Sequence, residues 1–200
     1  MKKILFLLPL ALGAFGATAA DRAGEILAAL ADGFRAMGAY EVTFTVAAGD
    51  NSVTGDYAVD GERYRMTLAD AEVFCDGEVR WEADNRRREV SVDKVDRESR
   101  NILDNPAHAF DFVGREYVPE LLCERNGVAV VRLRPAAQGA SPAGEVTVEV
   151  ETASMHPRSL SYDYDGERVT VAVERIAPLS SPLGGFDAGK YAGYEFIDFR

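Results

Sequence analysis

Chemistry at neutral pH needs nucleophiles, bases or metal ligands at recognisable spacing. The 200-residue chain offers few: two cysteines, Cys75 and Cys123, and two histidines, His108 and His156. A structural zinc site takes four ligands with close pair spacing, which this set does not supply. His156 precedes Pro157 in a turn-like stretch and His108 lies in a helical-looking segment, where histidines ordinarily serve packing or the surface. Each cysteine is followed by an acid, Asp76 or Glu124, and adjacent negative charge raises a thiol pKa instead of activating it. The sequence has no Gly-x-Ser-x-Gly, no His-Glu-x-x-His, no phosphate-cradling glycine loop and no dinucleotide fingerprint. Asp163 and Asp165 lie around a turn, and Arg86-Arg87-Arg88 runs beside another, the usual solvated places for charge. The expectation is a binding protein without catalytic residues, cofactor or metal.

The first twenty residues explain where such a protein would work. Lys2-Lys3, an apolar run from Ile4 to Phe15, and the small residues Ala17-Thr18-Ala19-Ala20 before Asp21 follow the order of a secretory signal peptide. The apolar run is shorter than the roughly 20 residues a membrane-spanning helix requires. Residues 1–20 are therefore read as a leader and 21–200 as one domain, exported to the periplasm. Export permits a Cys75–Cys123 bridge, while two unpaired thiols packed as small hydrophobes fit the sequence equally well. The formal charge is −11, and −13 once Lys2 and Lys3 are removed with the leader. That excess argues against nucleic acid, whose binding relies on clustered Lys and Arg, and against adhesion to anionic lipid.

The elements that position the remaining residues follow from periodicity. Ile26, Leu27, Leu30, Phe34 and Met37 recur at helical spacing from Ala23 onward, with Asp21 as N-cap and Gly38 as stop. The period then becomes two: Tyr40, Val42, Phe44 and Val46 alternate with polar residues, as in a strand with one buried face. Asp60-Gly61, Asp76-Gly77, Asn126-Gly127 and Asp165-Gly166 mark hairpins. Taken as two-residue turns, they pair Val59 with Glu62, Tyr57 with Tyr64, Phe74 with Val79, and Asp163 with Arg168. Tyr57, Val59, Tyr64 and Met66 then share a face, as do Phe74, Val79 and Trp81, and as do Leu160, Tyr162, Tyr164, Val169, Val171 and Val173. The Asn126-Gly127 hairpin does not sort, because Cys123 and Val130 fall opposite Leu122 and Val131. Further strands are expected at 87–92, 145–151 and 194–199, with one or two short helices between Asp96 and Val113. About ten or eleven antiparallel strands with one apolar face must curl to bury it. Whether they enclose a cavity or a packed core stays open at this point.

These residues resemble the LolA-like periplasmic lipoprotein carriers over nearly the whole chain after the leader. The resemblance rests on the amphipathic helix leading into Tyr40-Glu41-Val42-Thr43-Phe44, on Tyr64-Arg65-Met66, and on Val73-Phe74-Cys75-Asp76-Gly77 followed by Trp81. It also rests on Asn105-Pro106 in the helical interruption and on the ending Gly193-Tyr194-Glu195-Phe196-Ile197-Asp198. It implies an α+β fold: an unclosed, strongly curved antiparallel β-barrel covered by the N-terminal helix and a mid-chain helical lid. It further implies a monomeric carrier taking acylated lipoproteins from an inner-membrane ABC transporter to an outer-membrane acceptor. On that reading the cavity and lid residues are Leu27, Leu30, Phe34, Val42, Phe44, Tyr57, Val59, Tyr64, Met66, Phe74, Val79, Trp81, Leu103, Phe110, Tyr162 and Tyr164. The alternative is a lipid-binding or envelope-sensing interaction module built on the same barrel.

Overall fold

The computed structural model describes residues 19–96, 117–136 and 144–200. The chain runs α1 (Ala19–Met37), β1 (Ala39–Ala48), β2 (Asn51–Asp60), β3 (Arg63–Leu68), β4 (Ala71–Cys75), β5 (Val79–Asp84) and β6 (Glu89–Lys94). It continues through β7 (Tyr117–Arg125), β8 (Val128–Pro135), β9 (Val146–Glu151), β10 (Pro157–Tyr164) and β11 (Glu167–Pro178), then a short 3-10 helix (Ala188–Tyr191) and β12 (Glu195–Asp198). Two expectations fall outside the described residues: the mid-chain lid with Leu103 and Phe110, and the leader up to residue 18.

The helix forms where the apolar stripe demands it. Ala23, Ile26, Leu27, Leu30 and Phe34 are buried on one side while Glu25, Asp32 and Arg35 are exposed. Gly38 stops it in the left-handed conformation at φ 66°, its N–H donating to the Arg35 carbonyl at 3.2 Å. The expected cap differs: the described part of α1 already runs from Ala19, so Asp21 lies within the helix instead of capping it.

The described strands, twelve where ten or eleven were expected, join one sheet in the order β12-β6-β5-β4-β3-β2-β1-β11-β10-β9-β8-β7. Neighbours are antiparallel except β12, which lies parallel to β6. The terminal strands β12 and β7 are not paired with each other, so the sheet is an unclosed barrel. Its curvature follows from the core: Val73 and Cys75 of β4 and Tyr117 of β7 share one hydrophobic cluster with α1. In a flat sheet those strands would stand about 40 Å apart at the usual strand spacing.

Two hairpins adopt the expected register and two shift by two residues. Asn126 (φ 53°) with Gly127 (φ 77°), and Asp165 (φ 49°) with Gly166 (φ 82°), have the double positive φ of two-residue type I′ turns. Val59 pairs with Tyr64 and Tyr57 with Met66, because Asp60 stays in β2 opposite Arg63 and ion-pairs with it. Phe74 pairs with Trp81, because the Asp76 carboxylate accepts from the Glu78 and Val79 amides at 2.9 and 2.8 Å and holds a wider turn. A two-residue shift preserves which side chains share a face. The unsorted hairpin contains a bulge: the register slips between Leu121 and Cys123, leaving Leu122 45% exposed while Leu121 packs on the core.

Gly55 is the position where curvature tolerates no side chain. It is buried opposite Phe44, and a Cβ there would lie 2.7 Å from the Thr67 carbonyl oxygen and 2.9 Å from the Phe44 ring. Gly55→Ala is expected to lower stability by about 1–3 kcal/mol, read as a lower urea midpoint at unchanged slope.

Candidate functional site

The concave face holds the apolar surface that could shelter a ligand. Along β1 to β3 it presents Tyr40, Val42, Phe44, Tyr57, Val59, Tyr64 and Met66, and along β8 and β9 it presents Val131, Leu133, Val146, Val148 and Val150, all buried. α1 lies across this face with Leu27, Leu30 and Phe34 at 2%, 1% and 6% exposure. Phe34 meets Tyr40 edge-on at 5.0 Å, Tyr40 meets Tyr57 at 6.2 Å, and Tyr57 meets Phe44 at 5.9 Å. At its N-terminal end α1 is tied to β7 by Arg22, which donates to both Glu124 carboxylate oxygens at 3.2 and 3.0 Å on the exposed surface. A pair so exposed is screened by salt and holds weakly.

The tyrosines of the molecule carry a pH dependence. Burial holds the Tyr57 and Tyr64 hydroxyls well above the usual tyrosine range. Burial and the Glu72 carboxylate push Tyr191 up to about 12, its hydroxyl donating to Glu72 at 3.2 Å. A folded pKa above the unfolded value of about 10 means the folded state keeps protons that the unfolded state releases. The contribution of these tyrosines to stability is therefore fully present below about pH 10 and is lost as pH rises through 12. Tyr57→Phe is expected to shrink that alkaline loss, measured as denaturant midpoints from about pH 9 to about pH 12.

The convex face carries a second, smaller core. Ala83, Val90, Val92 and Tyr191 are buried there, with Phe74, Val79, Trp81, Phe186 and Tyr194 packed around them. Phe186, from the segment between β11 and the 3-10 helix, stacks on Trp81 at 5.1 Å and on Tyr191 at 5.2 Å, the rings nearly parallel. Arg88, the last of the three consecutive arginines, lies over the Tyr194 ring at 5.5 Å.

The expected cavity residues thus divide. Leu27, Leu30, Phe34, Val42, Phe44, Tyr57, Val59, Tyr64 and Met66 meet in one concave cluster, and half-buried Tyr162 packs against it. Phe74, Val79 and Trp81 lie on the convex side, because Tyr64 pairs with Cys75 and Met66 with Val73, which sends Phe74 and its partner Trp81 the other way. Tyr164 is 59% exposed at the β10–β11 turn. Sequence reasoning passed over Val73 and Cys75 as concave residues and Phe186 and Tyr191 as convex ones. Val73 and Cys75, two apolar residues two apart, were the available signal. Cys75 is a buried free thiol accepting from the Gly77 amide at 3.2 Å, and Cys123 is also free. Burial pushes the Cys75 thiol pKa up, the direction opposite to that of a nucleophile.

No protein-family model matches the sequence, and no curated protein matches it. Solved structures do match. An uncharacterised conserved protein from Thermus thermophilus is 9% identical, the match covering 88% of this chain and 99% of that one with a TM-score of 0.55. MucB is 14% identical over 81% of this chain and 60% of its own length, TM-score 0.50. A LolA superfamily protein from Nitrosomonas europaea is 15% identical over 80% of this chain and 94% of its own, TM-score 0.39. At such identities the likeness is one of fold: the Thermus protein and MucB share with this chain the open sheet curled around a helix.

Proposed function

We propose that this chain is a periplasmic carrier that shelters the acyl chains of lipoproteins between α1 and the concave face and ferries them from the inner to the outer membrane. It binds and does not catalyse, and it needs no cofactor. The observation that carries this reading is the way α1 covers the concave face: a continuous apolar stripe buried on the sheet, with the exposed Arg22–Glu124 ion pair at one end. Each acyl CH₂ removed from water contributes roughly 0.8 kcal/mol, so an acyl chain offers the face a replacement for Leu27, Leu30 and Phe34 when the helix swings aside. The leader supports export, and the resemblance supports an inner-membrane ABC transporter as donor and an outer-membrane protein as acceptor. The acidic surface keeps a carrier of greasy cargo off anionic bilayers. Incubated with spheroplasts that retain triacylated lipoproteins, the protein is expected to release them into the soluble fraction; no release at any concentration contradicts the carrier role.

A second reading, a non-catalytic envelope-sensing module, is favoured by how completely α1 fills the concave face. MucB, which shares the fold, is also solved in complex with MucA(peri). On that reading no acyl probe binds, and a protein partner co-purifies.

A further inference from the structure

The polarity of the sheet inverts between β3 and β5. From β1 to β3 the concave face is apolar, and β4 still adds Val73 and Cys75 to it. Beyond β4, pairing fixes a polar concave row: Cys75 faces Arg80, Arg80 faces Asp93, Val73 faces Glu82, and Glu82 faces Ser91. The apolar residues of β5 and β6 go instead to the convex core with Trp81, Ala83, Val90 and Val92. A half-barrel wall that is greasy on one side and polar on the other matches an amphiphile lying across it, tail on β1 to β3 and head on β5 and β6.

The polar row has a definite charge. Arg80 is set into the wall at 18% side-chain exposure and donates to Glu82 at 2.7 Å. Tyr64, at the border of the apolar cluster, pairs across β3 and β4 with Cys75, which in turn faces Arg80. The one cation of the row is therefore neutralised in place by Glu82, and Asp93 leaves the row with an excess negative charge. An anionic head brought here meets Glu82 and Asp93 at short range in a partly desolvated setting, where like charges repel most. An ester or amide carbonyl carries no charge and can accept from the guanidinium of Arg80.

We propose that the Arg80–Glu82–Asp93 row is a head-group subsite that selects neutral acyl esters over free fatty-acid anions, an inference that rests on the acyl-binding reading above. The test displaces a neutral fluorescent probe, pyrenyl-decanol, from the full chain with two competitors of equal tail, monododecanoyl glycerol and dodecanoate, at neutral pH. The glycerol ester is expected to displace the probe at about tenfold lower concentration than the anion. In Glu82→Gln and in Asp93→Asn, both at partly exposed positions, the gap is expected to narrow through better binding of dodecanoate, with the ester unchanged. Equal or better displacement by dodecanoate from the natural chain overturns the subsite, as does a ratio that neither substitution moves. If pyrenyl-decanol does not bind at all, the acyl-binding reading itself fails and the subsite with it.

Discussion

Replacing Leu30 by alanine is expected to weaken the fold and strengthen acyl binding together. Leu30 is 1% exposed at the centre of the α1 stripe. Removing its buried methyl groups costs about 2–5 kcal/mol of stability, depending on how far the site relaxes. Part of that loss falls on the contact between α1 and the sheet, which is the contact an acyl chain must displace. The apparent affinity of a ligand for a covered site scales with the fraction of molecules already uncovered. Each ~1.4 kcal/mol taken from the closed form raises that fraction about tenfold while it remains small. Urea unfolding and a pyrenyl-decanol titration on the same Leu30→Ala protein should therefore move in opposite directions, with affinity rising about tenfold or more. If stability and affinity fall together, α1 is a fixed core element and not a cover.

The second large effect lies on the opposite face and separates packing from binding. Phe186 is the ring that joins the segment after β11 to the convex core, stacked between Trp81 and Tyr191. Phe186→Ala is expected to cost about 2–3 kcal/mol, below the 3–5 kcal/mol of a fully buried ring because Phe186 is partly exposed. Trp81 is the sole tryptophan, so its emission reports this contact directly, moving to longer wavelength as water replaces the phenyl ring. Acyl binding should be unchanged, since among the described residues the ring packs with the convex core. A Phe186→Ala protein that keeps its emission, or that loses acyl binding while still folded, contradicts the division of the two faces.

Much of this architecture was legible from side-chain alternation alone. The α1 stripe from Ala23 to Phe34 and the concave set of β1 to β3 follow from single-element periodicity, and two of the four turns follow from their Asn-Gly or Asp-Gly pairs. What alternation does not carry is the sense of a face. Phe74, Val79 and Trp81 sort together whether they point inward or outward, and only the pairing of Tyr64 with Cys75 across β3 and β4 decides. The apolar surface changes sides there, so the polar Arg80 and Glu82, which look solvent-facing in an isolated hairpin, line the concave wall. Phe186 was illegible for a different reason. It sits in a stretch without periodicity, rich in Pro, Gly and Ser, and its contacts with Trp81 are more than a hundred residues distant in sequence. The bulge at Leu122 is likewise a tertiary feature: one extra residue re-aims the strand, and the hairpin sequence shows it only as a failure to sort.

On the carrier reading the concave face takes acyl chains in place of α1. A native mass spectrum of the protein, purified without detergent from the cells that express it, tests this most directly. A population heavier than the bare chain by one acylated molecule is expected, reduced in proportion when pyrenyl-decanol is added as competitor. A single species at the mass of the bare chain, unchanged after incubation with triacylated lipoproteins, would contradict it.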